Sequence, residues 1–355
     1  MKNTFGNNIT VTIFGESHGT AVGAVLDGLK AGLDISEEYI AKRLSLRAPK
    51  GDISTSRKEA DKFQILSGVL NGKTTGTPIT VVIPNENTKS KDYNYGIARP
   101  SHADYTAYAK YGGFEDYRGG GHFSARVTAG LVAVGAIVQY LLEQRGIRIA
   151  THIDSSAGIK DSPLTDFDSA YTVLSDKYFA VLDDVQGEKM QKAITDAKAD
   201  GDSVGGVLET VVSGMPAGVG EPWFDSVESM LSHAMFSIPA IKAVEFGDGF
   251  EICKKRGSEA NDAFYIDNGV IKTRTNSNGG INGGITNGMP IVMRVGIKPT
   301  PTIFKKQQTV DFINMKECEL EQKGRHDPCV VHRARAVVES AVAITLFDLL
   351  DMAGL

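Results

Sequence analysis

Residues 118–144 read RGGGHFSARVTAGLVAVGAIVQYLLEQ, and the rest of the chain is organised around this segment. Its most apolar part, from Val127 to Leu142, is too short for a membrane span and is interrupted by Gly130 and Gly135. We therefore predict a buried helix that ends at Gln144. The serine at position 124 is a suitable cap for its first turn.

Upstream of this helix, short extended segments alternate with capped helices. Apolar and threonine residues alternate over 9–13, which predicts a strand, and extended chain resumes over 22–26 after a glycine-containing turn. Ser36 is expected to cap a helix that ends at Arg47-Ala48-Pro49. A second short helix is predicted over 104–111, stopped by two glycines.

The remaining elements follow the same mixed order. The last one is predicted as a helix from Pro328 to about Met352, with Asp327 as its cap and the proline at its first position. One more helix is predicted near 189–199. Strands are predicted over 63–70, 79–83, 207–212, near 243–246 and over 290–297.

The order of elements favours an α+β fold. Strands and helices do not alternate strictly, so a doubly wound parallel sheet is less favoured. No low-complexity linker divides the chain. Residues 1–355 are therefore predicted to form a single domain, with a peripheral lobe at about 160–202, where Asp and Lys are frequent.

The composition excludes several classes of protein. The 355 residues carry a net charge of −5, which argues against nucleic-acid binding, so an anionic ligand needs a local basic cluster. Three cysteines without a Cys-x-x-Cys pair argue against a disulfide framework. The polar N-terminus has no signal-peptide layout. We expect a cytoplasmic protein that binds no membrane.

Four segments combine glycine, histidine and arginine: 15–19, 99–104, 118–126 and 324–328. Glycine lets backbone amides approach an anion, and arginine can hold phosphate or carboxylate through two parallel hydrogen bonds. Histidine can exchange a proton near neutral pH. Together the segments indicate a site where a small polyanion undergoes proton transfer.

Each segment also has a simpler structural interpretation. Residues 15–19 can be a strand-terminating turn, and the three glycines can form a hinge. The pair Asp327-Pro328 is explained by a helix start, and the basic residues over 43–58 can be a solvated face. P-loop, dinucleotide-binding and zinc-protease motifs are absent from the sequence, and the histidines show no metal spacing. We predict no metal site.

The order of the motifs resembles the chorismate synthase family over nearly the whole chain. The matching segments are GESHG at 15–19, RPSHADYT at 99–106, DYRGGG at 116–121 with SAR at 124–126, IPAIK at 238–242, EFG at 245–247, GGI at 283–285, KPT at 298–300 and GRHDPC at 324–329.

The resemblance implies a β-α-β sandwich with helices packed between antiparallel sheets, and a homotetramer. It implies a lyase that converts 5-enolpyruvylshikimate 3-phosphate to chorismate and phosphate by anti-1,4-elimination. This is the last step of the shikimate pathway and precedes aromatic amino acid biosynthesis. It also implies FMN in its reduced form, although substrate and product differ by no redox step. Electron density from the flavin would stabilise an electron-poor transition state.

By motif, His18 resembles the acid that protonates the departing phosphate, and His102 resembles the histidine that supplies a proton to the flavin. Asp327 resembles the carboxylate that works with flavin N5. The resemblance implies substrate binding by Arg47, Arg126 and Arg325, and NADP binding by Arg47. The residues that match FMN-lining positions are His122, Phe123, Ser124, Pro239, Ala240, Gly283, Lys298, Pro299, Thr300, Pro301, Thr302 and Arg325.

The chain departs from the family pattern at three places. It has Arg47-Ala48-Pro49-Lys50 where many members have Arg-Arg-Pro-Gly, so a second arginine there has no counterpart. His122-Phe123 stands where many members have Arg-Ser, and Pro239 stands where some members have Asn. No large insertion suits a reductase, which favours an external flavin reductase as partner. A metal-independent phosphate-ester hydrolase and a catalytically silent phosphate-metabolite binding protein are the alternatives.

Overall fold

The computed structural model describes residues 3–55, 59–87, 95–322 and 327–355. Helix accounts for 34% and strand for 25%, so the predicted α+β class is confirmed. The α-helices in these ranges are α1 (Glu37–Arg47), α2 (Asp104–Tyr111), α3 (Thr128–Gln144), α4 (Phe167–Leu174), α5 (Asp184–Ala199), α6 (Val227–Ser237), α7 (Gly257–Ala260) and α8 (Val331–Met352).

The strands form two five-stranded antiparallel sheets and several hairpins. The first sheet has the order β1 (Thr4–Phe5), β2 (Thr10–Gly15), β3 (Ala21–Asp27), β7 (Ile79–Pro84), β4 (Gln64–Ser67). The second has the order β11 (Ile241–Phe246), β16 (Ile291–Ile297), β10 (Gly206–Ser213), β8 (Arg148–Ser156), β9 (Ile159–Lys160). The paired short strands are β5 (Val69–Leu70) with β6 (Lys73–Thr74), β12 (Phe264–Asp267) with β13 (Val270–Thr273), β14 (Ile281–Asn282) with β15 (Ile285–Thr286), and β17 (Gln307–Asp311) with β18 (Lys316–Leu320).

Helices α3 and α8 form the centre of the hydrophobic core. Helix α3 contacts β2, β3 and β7 of the first sheet, α8 contacts β8 and β10 of the second, and the two helices pack against each other. A Cβ atom on Gly130 would lie 2.5 Å from the Gly23 carbonyl carbon, and one on Gly135 would lie 2.4 Å from Cβ of Ser340. Both glycines in the predicted buried helix therefore permit close packing.

Helix α3, together with the short turn before it, is apolar over Ala125–Gln144 and long enough to cross a membrane. Within its most apolar window, however, 83% of the residues are buried inside the protein. The segment therefore has the burial of a core helix, as the sequence predicted. Ser124 caps the turn over Ala125–Val127 by accepting a hydrogen bond from the Arg126 N–H, and α3 continues directly from this turn.

The two ends of the chain are joined by one buried carboxylate. Asp348, on α8, accepts backbone hydrogen bonds from Asn7, Asn8 and Ile9 at 2.9, 2.8 and 2.8 Å. These residues lie immediately before β2, so the last helix holds the start of the first sheet in place.

Most predicted boundaries are confirmed, including Asp104–Tyr111 and the caps at Ser36 and Gly112. The predicted cap at Asp327 is wrong. The last helix begins at Val331, three residues beyond Pro328, without a side-chain cap. The Asp327 carboxylate instead accepts a hydrogen bond from the Thr55 N–H and pairs with Arg333. It therefore binds these two groups and not the backbone N–H groups of the helix's first turn.

Candidate active site

A single large cavity of about 1250 Å³ contains most of the predicted site residues. Its walls come from distant parts of the chain: 3–13, 95–131, 233–242, 298–302, 320–322 and 330–344. Ligand sites in proteins are typically about 300–1,000 Å³. The cavity is therefore large enough for a cofactor and a small substrate together.

The GESHG turn and the triple glycine pack against each other at one side of this cavity. The Ser17 N–H donates to the Gly121 carbonyl at 3.0 Å, and Nδ1 of His122 donates to the Gly15 carbonyl at 2.8 Å. At Gly119, φ is +62°, and a Cβ atom would lie 2.1 Å from Nδ1 of His18. Position 119 therefore requires glycine.

His18 is buried directly behind this wall. The adjacent Gly119 and Gly120 line the cavity, and only 8% of His18 is exposed. Because the glycine that separates His18 from the cavity has no side chain, the imidazole lies close to any ligand at this wall.

His102 lies on the cavity wall at the N-terminal end of α2. Its Nε2 is 3.0 Å from Oγ1 of Thr302, and its Nδ1 is 3.4 Å from the Pro100 carbonyl oxygen. Because a carbonyl only accepts, the hydrogen belongs on Nδ1 and the Thr302 hydroxyl donates to Nε2. Burial, with the positive charge of Arg99, lowers the pKa of His102 to about 4. The imidazole is therefore neutral at pH 7.

The two predicted cofactor segments 239–240 and 298–302 meet at another part of the cavity wall. The Lys298 N–H donates to the Ala240 carbonyl at 3.0 Å, and its Nζ donates to the Ser101 carbonyl at 2.9 Å. The latter contact joins this wall to the His102 segment. Burial, with the charge of Lys242, lowers the pKa of Lys298. Two ammonium groups at one wall favour an anionic ligand.

Arg47 and Arg126 lie in a buried cluster beside the cavity and share one carboxylate. Asp61 accepts a hydrogen bond from Nη2 of Arg47 at 2.8 Å and also pairs with Nη1 of Arg126. Nε of Arg126 donates to Oδ1 of Asn85 at 2.8 Å. Burial would raise the pKa of Asp61, but the two guanidinium groups outweigh it and lower the pKa. The carboxylate therefore neutralises part of the charge predicted to bind substrate.

Asp327 belongs to the adjoining polar cluster. Its partner Arg333 is close enough to Arg47 for their charges to interact. Val330, in the same segment, lines the cavity. Asp327 is thus held beside the cavity, but it is not one of the residues that line it.

Not every predicted residue reaches the cavity. Those that line it are His102, His122, Phe123, Ser124, Pro239, Ala240, Lys298, Thr300, Pro301 and Thr302. Gly283 lies at the exposed β14–β15 turn, and Pro299 is exposed between two lining residues; neither contributes to the cavity surface. Arg325 lies outside the described residues.

The sequence did not reveal several residues around the cavity. His233 lines it from α6 and packs edge-on against Phe5 at 5.2 Å between ring centroids. The sequence does not indicate that Asp61 pairs with two arginines, because an acidic residue after a basic loop is common on protein surfaces. Arg99 and Asp104 form an ion pair, with Nε 2.7 Å from Oδ2. Both residues belong to the RPSHADYT motif at 99–106, but the resemblance gives neither a role. Over the described ranges, no group of three His, Cys, Asp or Glu residues suits a metal ion.

Comparison with known proteins identifies the family. The family model described as chorismate synthase matches residues 9–350. The chain belongs to the chorismate synthase family. It is 46% identical to the chorismate synthase of Archaeoglobus fulgidus over 355 residues, which covers 99% of this chain and 98% of the relative. The chorismate synthase of Bacteroides fragilis is also 46% identical, over 98% of this chain and 97% of the relative.

A solved structure has the same fold. The crystal structure of a chorismate synthase superimposes on this chain with a TM-score of 0.78 and 31% sequence identity. The alignment covers 98% of this chain and 93% of the chain in the crystal structure. Membership of the chorismate synthase family makes this chain an enzyme, a carbon–oxygen lyase acting on a phosphate (EC 4.2.3.5). Its reaction is the final step of the shikimate pathway, in aromatic amino acid biosynthesis.

Proposed function

We propose that this enzyme converts 5-enolpyruvylshikimate 3-phosphate to chorismate and phosphate by anti-1,4-elimination, with reduced FMN as cofactor. The observation that carries the proposal is the single large cavity, in which residues 99–104, 118–126, 238–242 and 298–302 converge. These four motifs are distant in sequence, and each matches the family pattern.

The residues around the cavity fit a flavin. Val127, Leu131 and Ile238 give an apolar surface for a planar ring system, while Ser124 and Thr300 offer hydroxyl groups on the same lining. When bound, reduced FMN would supply electron density to the electron-poor transition state. Gly283, Pro299 and Arg325 also match FMN positions by motif and belong to the proposal, although Gly283 and Pro299 do not contribute to the surface of this cavity.

We assign His18 the protonation of the leaving phosphate. Its position behind Gly119 supports this assignment, because the imidazole is shielded from bulk water yet next to the cavity. We assign His102 a proton transfer at the cofactor. A negative charge beside His102 would raise its low pKa. An anionic ligand would therefore let the imidazole become protonated, and the protonated imidazole could then donate that proton to the cofactor.

We assign Asp327 to the removal of the ring hydrogen. Its ion pair with Arg333 and its hydrogen bond from the Thr55 N–H fix the orientation of the carboxylate. Arg47, Arg126 and Arg325 would hold the carboxylates and phosphate of the substrate. Any contact of Arg47 with NADP would compete with its ion pair to Asp61.

We further propose a β-α-β sandwich in a single domain, 1–355, with a peripheral lobe at about 160–202. A separate small apolar cluster of Ala150, Ala170, Leu174 and Ala180 supports the lobe. The exposed Trp223, at 83%, supports a homotetramer, because large exposed aromatic side chains favour assembly. We expect a cytoplasmic enzyme that takes reduced FMN from an external flavin reductase.

An anaerobic assay tests the function. Dithionite-reduced FMN and 5-enolpyruvylshikimate 3-phosphate are mixed with the enzyme, and chorismate absorbance and phosphate are followed. The proposal requires equal amounts of both products, no turnover with oxidised FMN, and tighter FMN binding when substrate is present. Phosphate release in air without FMN would identify a hydrolase. Ligand binding without phosphate release would identify a binding protein.

A further inference from the structure

A second, smaller cavity lies away from the active site, between α1, α3, α4 and α8. Its volume is about 120 Å³, and it shares no lining residue with the large cavity. Its walls carry several charged side chains, which is unusual for a space among core helices. Two arginines, Arg43 and Arg335, contribute to it.

The two carboxylates of this cavity already have partners. Glu339 forms a buried ion pair with Arg43. Glu143 accepts hydrogen bonds through Oε1 from the hydroxyl of Tyr39 at 2.5 Å and from the hydroxyl of Tyr171 at 2.9 Å. Neither carboxylate accepts a hydrogen bond from the second arginine, Arg335.

Arg335 is only 1% exposed and is incompletely paired. Its Nη1 donates to the Leu174 carbonyl at 2.6 Å, but its buried Nε and Nη2 have no acceptor among the described residues. Burial, with the charge of Arg43, lowers the pKa of Arg335 to about 9, so the guanidinium is still charged at pH 7. The charge of Asp176 attracts this guanidinium, but that carboxylate is exposed and pairs with Lys42. A buried charge without a hydrogen-bonded counter-ion is strongly unfavourable.

We propose that this cavity binds a small monovalent anion, such as chloride, on Nε and Nη2 of Arg335. A second negative charge on the anion would be repelled by Glu143 and Glu339, which favours a monovalent ion. Gln139 also lines the cavity, and within the described part of the chain its side-chain oxygen has no hydrogen-bond partner. Rotation of this amide by 180° would supply a further donor. Lys42, on the partly exposed rim, gives a route of entry.

The anion would connect the peripheral lobe to the core. Arg335 lies on α8, and its carbonyl partner Leu174 ends α4. An anion beside the guanidinium would offset the cost of burying its charge, and so would stabilise the packing of α4 against α8 away from the large cavity. The expected consequence is therefore anion-dependent stability and not anion-dependent chemistry.

The first test compares thermal unfolding of the full-length protein in sodium chloride and in sodium gluconate at equal ionic strength. Gluconate is too large for the cavity. We expect a Tm about 2–4 °C higher in chloride. Arg335→Met should lose this increment, whereas Arg256→Met, at an exposed arginine, should keep it. Equal Tm values in the two salts, or equal increments in the wild-type protein and Arg335→Met, would overturn the proposal.

The second test needs no variant and decides the matter if Arg335→Met fails to fold. Crystals of the wild-type protein are grown in sodium bromide, and anomalous scattering locates the halide. We expect a peak within hydrogen-bond distance of Nη2 of Arg335. Peaks at surface positions alone would indicate an adventitious ion only and would overturn the proposal. The absence of any peak would also overturn it.

Discussion

His152 provides a quantitative prediction about stability. It is almost fully buried in the second sheet, with Nδ1 2.9 Å from Oδ2 of Asp161 and Nε2 3.2 Å from Oε1 of Glu209. The Asp161 carboxylate also accepts hydrogen bonds from the Leu182 and Asp183 N–H groups, which ties the peripheral lobe to the sheet. We consider the substitution His152→Gln, which removes the charge and keeps a polar side chain of similar size.

The magnitude follows from the pKa of His152. Burial alone would lower this pKa, but the hydrogen bonds and charges of Asp161 and Glu209 outweigh burial and raise it from 6.5 to about 9. At 1.36 kcal/mol for each pKa unit, the protonated form stabilises the folded state by about 3 kcal/mol. Because the folded pKa is the higher one, this contribution is complete below the unfolded pKa of 6.5 and is lost as pH rises through 9.

The measurement is urea unfolding of the wild-type protein and His152→Gln at three pH values. The pH-dependent part of the difference in unfolding free energy should be about 3 kcal/mol at pH 6, roughly half of that at pH 8 and close to zero at pH 10. His233→Gln, at an exposed histidine, is the control and should show a difference that does not vary in this way. A difference for His152→Gln that is the same at pH 6 and pH 10 would refute the reasoning.

Three further predictions concern the active site. Asp61→Asn should lower the free energy of unfolding by about 3 kcal/mol, because two buried guanidinium groups lose their counter-ion, and urea titration checks this; an unchanged value contradicts the pairing. Gly119→Ala should reduce turnover roughly 100-fold, because the added methyl group would displace His18. Gly146→Ala is the control, since Gly146 also has positive φ but open space around it. Equal activities of the two variants would show that the methyl group at position 119 does not displace His18. Thr302→Val should change the imidazole ¹⁵N shifts of His102, because Nε2 loses its donor; unchanged shifts in NMR would show that the hydroxyl does not bind there.

Local signals in the sequence predicted much of the fold. Ser36 and Gly112 mark helix ends through hydrogen bonds and φ angles set within a few residues, and both are confirmed. The Ser226 cap of α6 is of the same kind and was overlooked, although its side chain accepts from the Ser229 N–H. Such errors can be corrected from sequence alone.

Long-range pairing could not be predicted in this way. Asp327 has the local pattern of a helix cap, but Arg333 and the Thr55 N–H bind its carboxylate instead. The sharing of Asp61 between Arg47 and Arg126 depends on where a loop places one carboxylate. Motif matching predicted the segments that converge on the cavity, whereas the neutralisation of their charges became visible only in three dimensions.

The three hydrogen bonds from the backbone of residues 7–9 to the Asp348 carboxylate have a consequence for biosynthesis. Residues 7–9 are translated long before Asp348, which anchors them. Thr4 and Phe5 line the large cavity, and so does Ile344. A nascent chain therefore lacks these hydrogen bonds until codon 348 has been translated, and a message truncated before that codon would yield a polypeptide whose first sheet is not anchored to α8.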